Sequence, residues 1–167
     1  MFAVAAGGAA GAATAGARQT APTNAQIQAA VVRAKQSDTL WATVNICDTR
    51  RYPDTLGVRG QMPSLGFSSS MSIDIQVSYY STTKHRFVPV PHEMLKISLG
   101  QHATGLEQGG WNFPFAAHAG LLNATLTFVW TRGGRALGQT QRQTTAGHPG
   151  ADFGSPPHFS AKQCRMS

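Results

Sequence analysis

Large apolar residues alternate with polar ones along several stretches of the chain. The clearest run has apolar side chains at every second position: Met71, Ile73, Ile75, Val77 and Tyr79. Successive side chains of a β-strand point to opposite faces, so this run predicts a strand with one buried face. Residues 124–131 and 41–47 show the same alternation and predict two further strands.

Glycine and proline pairs separate these strands and predict the turns between them. Gly133-Gly134 directly follows the strand over 124–131 and predicts a tight hairpin into residues 136–145, because glycine tolerates the positive φ angles of such a turn. Weaker strand candidates are 57–62, 87–90, 95–99 and 111–115. The other predicted turns are Pro53-Asp54, Pro63-Ser64, Pro91-His92, Gly109-Gly110 and Pro149-Gly150.

The order of these elements predicts the fold class. No helical pattern alternates with the strands, which argues against a parallel βαβ architecture. Seven or eight short strands in about 130 residues predict a mainly β protein, an antiparallel immunoglobulin-like β-sandwich, with a small barrel as the alternative. The Cys, Trp, Cys hallmark of antibody domains is missing, so only the general sandwich architecture is predicted.

Residues 1–37 have a different pattern from residues 38–167, which we expect to form the β-sandwich domain. Residues 3–17 are almost all Ala and Gly, and such side chains bury too little surface to offset the entropy of ordering. We therefore predict a disordered or short-helical N-terminal segment. The helical part is indicated by apolar residues at helical spacing, Ile27, Ala30, Val31 and Ala34, with Thr23 or Asn24 as N-cap.

The Ala/Gly-rich stretch also resembles the apolar part of a secretory signal peptide. Small residues precede two candidate cleavage points, after Ala17 and after Ala25. No Lys or Arg precedes the stretch and it contains no Leu, so the signal would be degraded or truncated. The alternative is a flexible tail on a cytosolic protein. We favour export to the extracellular space or cell surface. The chain has no run of about 18 apolar residues, so the sequence predicts no transmembrane helix.

The two cysteines of the chain, Cys47 and Cys164, allow one intramolecular disulfide. In the chain-entropy model, a bond that closes the long loop between these two residues stabilises the fold by about 4–5 kcal/mol. The alternative is two buried free thiols in a reducing cytosol. Export and a disulfide support each other, and we expect both.

Four short motifs link the chain to a group of proteins. They are residues 44–49 (VNICDT), 57–63 (GVRGQMP), 144–148 (TTAGH) and 159–165 (FSAKQCR). In these motifs the chain resembles uncharacterised secreted bacterial proteins of actinobacterial type, over most of residues 38–166. The resemblance implies an exported, disulfide-closed β-domain and carries no catalytic activity. The N-terminus departs from it, because a secretory signal carries basic residues and a Leu-rich apolar stretch.

Charge indicates one candidate binding surface. The chain has 14 Lys and Arg against 7 Asp and Glu, a formal net charge of +7. Three basic residues lie within residues 1–37, and the predicted hairpin is the most enriched part of the remainder, with Arg132, Arg135 and Arg142. A polyanion would bind such a patch in a salt-sensitive way. No nucleic-acid-binding motif accompanies it, and the alternative is a generic basic surface.

Motifs for catalysis and metal binding are not found in the sequence. The six His residues are not spaced as local metal ligands, no Gly-x-Ser-x-Gly nucleophile motif is present, and carboxylates are few. We expect no metal, no cofactor and no enzymatic activity. Alternating Trp111, Phe113 and Phe115 could form a stacking platform for sugars, but we favour side chains of a core strand.

These features favour an exported, non-enzymatic β-sandwich module that acts by binding or as a structural piece at the cell surface. The alternatives are binding of an anionic polymer through the basic hairpin and, less favoured, an unrecognised hydrolase. The partner itself is not predicted by the sequence.

Overall fold

The computed structural model describes residues 21–166, which form one helix and eight β-strands in two antiparallel sheets. Helix α1 spans Asn24–Gln36. The strands are β1 (Trp41–Thr49), β2 (Tyr52–Pro63), β3 (Ser69–Ser81), β4 (Arg86–His102), β5 (Leu106–Pro114), β6 (Gly120–Arg132), β7 (Arg135–Gln143) and β8 (Cys164–Met166). The predicted mainly β, antiparallel sandwich is confirmed.

The two sheets pack face to face around one apolar core. The first sheet has the order β1-β2-β5, and the second has the order β4-β3-β6-β7. β8 pairs with the start of β6, beyond the part that β7 occupies. The predicted alternation is confirmed on β6 and over Met71–Val77 of β3, whose apolar members are buried, with Phe128 and Trp130 the largest fully buried side chains. Tyr79, the last member of the β3 run, is instead 41% exposed.

The hairpin between β6 and β7 has the predicted two-residue turn. Gly133 and Gly134 have φ angles of 55° and 77°, and Arg132 pairs with Arg135 across the turn. Positive φ at both central residues matches the right-handed twist of the flanking strands.

Strand β4 joins two predicted strands into one. Residues 87–90 and 95–99 both pair with β3, and the pairing is interrupted between Pro89 and Met94. The predicted Pro91-His92 turn is therefore a bulge, with His92 at a φ of 65°. β4 lies at the edge of its sheet, where proline and bulges are tolerated because they need not donate to a further strand.

The predicted turn at Gly109-Gly110 is wrong. Both glycines lie inside β5, where they pair with Gly60 and Arg59 of β2. A Cβ atom on Gly110 would overlap the backbone carbonyl of Val58, and one on Gly109 would contact the end of the Leu99 side chain. Glycine is present at both positions because neighbouring groups approach too closely for a side chain.

Helix α1 packs on the sandwich. Thr23 is its N-cap and forms a capping box with Gln26, which satisfies two backbone N–H groups at the helix start. Ala30, Val31 and Ala34 are buried in the common core. The apolar core thus extends upstream of the predicted domain start at residue 38. Residues 1–20, with the Ala/Gly-rich stretch and the candidate cleavage point after Ala17, lie outside the described residues.

Glycine at one position of β7 makes room for the helix. A Cβ atom on Gly138 would overlap the Val31 side chain, so the helix contacts β7 closely at this point. No helix within residues 21–166 is long and apolar enough to cross a membrane.

Candidate functional site

The predicted disulfide between Cys47 and Cys164 is present. Its S–S distance is 2.09 Å and its Cα atoms are 5.2 Å apart. Cys47 lies in β1 of the first sheet and Cys164 in β8 of the second sheet. The bond therefore links the two sheets covalently.

Residues 144–163, which we call the C-terminal strap, cover the free edge of β1. Backbone hydrogen bonds join Thr145 N–H to the Ala42 carbonyl at 2.8 Å and Ser155 N–H to the Asn45 carbonyl at 2.9 Å. Val44 and Ala161 exchange two further backbone bonds of 3.0 and 2.9 Å. The strap thus pairs the edge of β1, which would otherwise be open to another strand.

Polar side chains beneath the strap hold it to the first sheet. Thr43 and Asn45 are fully buried. The Thr43 and Ser160 hydroxyl oxygens are 2.7 Å apart, and Asn45 Nδ2 donates to the Asp152 carbonyl at 2.7 Å. A buried polar group is costly unless it is hydrogen-bonded, so these bonds require the strap to be in place.

Arg59 supports the middle of the strap. Its Nε donates to the Asp152 carbonyl at 3.3 Å, and its guanidinium lies 5.0 Å from the centre of the Phe153 ring. Burial lowers the pKa of Arg59, and the Asp152 carboxylate acts in the opposite direction. The strap was missed by pattern analysis because its contacts are not periodic. Its two sequence signals were the cysteine pairing, which was expected to tie residues 159–166 to the first strand, and the four short motifs, which lie in β1, β2, the strap and β8.

His148 joins the strap to the first residue of β1. Its ring stacks on Trp41 with centroids 4.8 Å apart and an interplanar angle of 12°. Its Nε2 is 2.9 Å from Thr145 Oγ1, and its backbone N–H donates to the Ser160 hydroxyl at 2.9 Å. Burial lowers the pKa of the His148 imidazole below its ordinary value of 6.5.

The lowered pKa of His148 predicts a loss of stability in acid. The unfolded chain binds a proton to this residue at a higher pH than the folded chain does, so the free energy of unfolding falls as the pH drops below about 6.5. His148→Phe keeps an aromatic ring against Trp41 and cannot titrate. We expect urea unfolding between pH 7.5 and 5 to show a shallower pH dependence for this variant. Parallel profiles would contradict the prediction.

The arginines of the predicted anion site lie in two places. Arg132 and Arg135 flank the turn of the β6–β7 hairpin, and Arg135 is exposed. Arg142 lies at the other end of β7, where its Nη2 donates to the Lys35 carbonyl at 2.5 Å and its Nη1 to the Gln141 carbonyl at 2.9 Å. Lys35 is in the last turn of α1, so Arg142 satisfies a carbonyl at the helix C-terminus. Anion binding itself stays a prediction.

The role of Arg142 predicts a stability effect. Arg142→Ala removes a charged donor from a helix-terminal carbonyl, and we expect the free energy of unfolding to fall by about 1–2 kcal/mol. Arg135→Ala is the matched control, because the Arg135 side chain makes no hydrogen bond or ion pair with the described residues and its removal should change stability by under about 0.5 kcal/mol. Urea unfolding of both variants measures the difference. An equal effect would contradict the capping role.

Two open grooves flank α1 and are lined by arginines. The first, of about 500 Å³, lies between the helix and the loop before β3 and contains Arg33 and Arg132. The second, of about 420 Å³, lies between the helix and the hairpin and contains Arg132 and Arg135. Arg33 was not predicted to line a site, because residues 1–37 were expected to lie outside the domain.

Other candidate chemistry is spread over the molecule. Within residues 21–166, no group of three His, Cys, Asp or Glu residues is placed to hold a metal ion. Both ring nitrogens of His102 have partners, Nδ1 with Glu107 at 3.0 Å and Nε2 with the Leu99 carbonyl at 2.7 Å.

The aromatic residues of β5 do not share one environment. Phe113 is buried in the core, as favoured, whereas Trp111 is 54% exposed. Phe115, just beyond β5, packs against the core and is partly buried. Trp111 pairs with Val58 of β2 and Phe113 pairs with Leu56. The core position expected of Trp111 is wrong, although Phe113 has one.

A comparison with protein-family models finds no match, and searches of curated proteins and of solved structures find none either. The functional assignment therefore rests on the residues and their geometry.

Proposed function

We propose that the protein is an exported, non-enzymatic β-sandwich module that acts by binding or as a structural piece at the cell surface. The observation that carries the proposal is the disulfide, which uses both cysteines of the chain. Disulfides form and persist in oxidising compartments and are rare in the cytosol. A domain crosslinked in this way suits the outside of the cell.

The protection of the sheet edges against pairing with other strands supports the same function. The strap pairs the edge of β1, and the edge strand β4 has Pro89 and Pro91 with a bulge between its two paired parts. Covered and interrupted edges limit association with other strands. Such protection is useful for a module outside the cell, where chaperones are few.

The strand arrangement supports an immunoglobulin-like assignment. Strands β1, β2 and β5 face β4, β3, β6 and β7. This order differs from the constant-type immunoglobulin arrangement in that the fourth strand pairs with the third instead of joining the opposite sheet. Modules of this architecture commonly present binding loops on a stable framework.

The helix favours one of the two candidate cleavage points. Removal of residues up to Ala25 would eliminate Thr23, whose hydroxyl accepts the Gln26 N–H, and would leave the first turn uncapped. Removal of residues up to Ala17 would keep the cap and all buried residues of α1. We infer that processing occurs after Ala17.

Mass spectrometry of protein from its native source tests the proposal. We expect a chain that begins at Arg18 and whose mass is lower by two hydrogens than that of the reduced form. Treatment with a reductant and an alkylating agent should then label two cysteines, and without reductant it should label none. A chain that begins at Met1 with two free thiols would contradict both export and the disulfide.

A further inference from the structure

We infer that the two grooves beside α1 form one binding site for a linear, phosphate-bearing polymer of the cell surface, with Arg33, Arg132 and Arg135 as the binding residues. The location of the polymer rests on the proposed function. The site itself is argued from the arrangement of the three guanidinium groups.

The two grooves adjoin at Arg132, which lines both of them. Arg33 projects from α1 into the first groove, and Arg135 lies in the second, directly across the hairpin turn from Arg132. The three residues therefore mark a path beside the helix, with Arg33 in its last turn. Because both grooves are open, the path suits an extended chain better than an enclosed small molecule.

The three arginines have no acidic partners. Among the side chains that the structure describes, His102 and Glu107 form the one contact between a basic and an acidic group within 4 Å, and no described Asp or Glu lines either groove. The charges are thus available to a ligand, without an internal salt bridge that must first be broken. An uncompensated cluster of one sign attracts and orients an anionic partner.

The identity of the cations favours phosphate. The guanidinium group of arginine offers several N–H donors in one plane, which fit the oxygens of a phosphate group in pairs. Arg132 is held with its guanidinium 5.8 Å from the centre of the Phe67 ring, which limits its freedom before binding. Neighbouring donors in the first groove include the Ser68 hydroxyl and the Gln26 amide.

The grooves suit a polymer without bases better than a nucleic acid. Proteins that bind single strands use exposed aromatic side chains on which successive bases stack. The one aromatic residue in the two grooves is Phe67, and it is half-buried and contacted by Arg132. The grooves therefore fit better a polymer that is recognised by its charged backbone alone.

Binding of fluorescently labelled inorganic polyphosphate to the oxidised full chain tests the inference. The triple variant Arg33→Ala, Arg132→Ala, Arg135→Ala is expected to bind at least about tenfold more weakly. Three phosphate contacts to a flexible chain predict a log–log salt slope of about −2, or roughly 20-fold weaker binding at 200 mM than at 50 mM NaCl.

A charge-matched control separates this site from general basicity. Arg50→Ala, Arg51→Ala, Arg86→Ala removes the same number of charges from exposed positions outside the grooves and should change affinity by less than about twofold. Arg135→Ala alone removes an exposed side chain without hydrogen bonds and should weaken binding while its urea midpoint stays that of the wild type, which excludes loss of folding as the cause.

The inference would be overturned by equal weakening in both triple variants, by unchanged binding in the groove variant, or by tighter binding of single-stranded DNA than of polyphosphate. Polygalacturonate, which carries carboxylates, should bind more weakly than polyphosphate, and stronger binding would overturn the phosphate assignment. None of these measurements depends on the compartment of the protein, so the mass-spectrometric test can fail while this one succeeds.

Discussion

Reduction of the Cys47–Cys164 disulfide is expected to lower the free energy of unfolding by about 4–5 kcal/mol, because the bond closes a loop across a sequence separation of 117 residues. In the chain-entropy model this stabilisation comes from the unfolded state, which loses many conformations when Cys47 and Cys164 are joined. For a domain of this size, the melting temperature should fall by about 10–20 °C.

Thermal unfolding followed by circular dichroism, with and without a phosphine reductant, measures this effect. The double variant Cys47→Ala, Cys164→Ala is the control, since it should unfold near the temperature of the reduced wild type and be insensitive to the reductant. Cys164 is fully buried, so alanine is preferred to serine, which would bury an unpaired hydroxyl. An unchanged melting temperature in reduced wild type would contradict the prediction.

The disulfide and the arginine grooves lie at opposite ends of β6. Cys164 pairs with Leu122 near the start of β6, whereas Arg132 is the last residue of that strand. The covalent link therefore joins the sheets at one end of β6, and the hairpin and the helix present charged side chains near the other. This separation supports a module in which a stable framework positions a binding surface.

Local sequence signals were sufficient for β3, β6 and the hairpin. The alternation on β3 and β6 reports burial of one face, and Gly133-Gly134 reports the backbone conformation of a turn. Each depends on residues that are neighbours in sequence. The disulfide was equally accessible, because two cysteines allow a single pairing.

Contacts between distant segments were not predictable in this way. The strap is held by bonds such as Asn45 to the Asp152 carbonyl, and a backbone carbonyl has no residue-specific pattern. The roles of Arg33 and Arg142 depend on where α1 packs: one lines a groove and the other caps the helix. Because the helix was expected to precede the domain, neither role could be assigned.

Gly110→Ala is expected to be the most disruptive single glycine substitution in β5. A Cβ atom at this position would overlap the Val58 carbonyl, and a backbone group cannot move aside without shifting β2 against β5. We expect the free energy of unfolding to fall by about 3 kcal/mol, at the upper end of the usual cost of overpacking.

Gly109→Ala is the matched control one residue earlier. Its Cβ atom would meet the terminal methyl of Leu99, which can rotate away, and alanine is favoured over glycine in a strand by about 0.5–1 kcal/mol. The two effects should partly cancel, so stability should change by under about 1 kcal/mol. Urea unfolding of both variants compares a backbone obstacle with a side-chain obstacle. If Gly109 and Gly110 formed the turn that the sequence predicted, both substitutions would have equal, small effects on stability. That result would contradict the β2–β5 register.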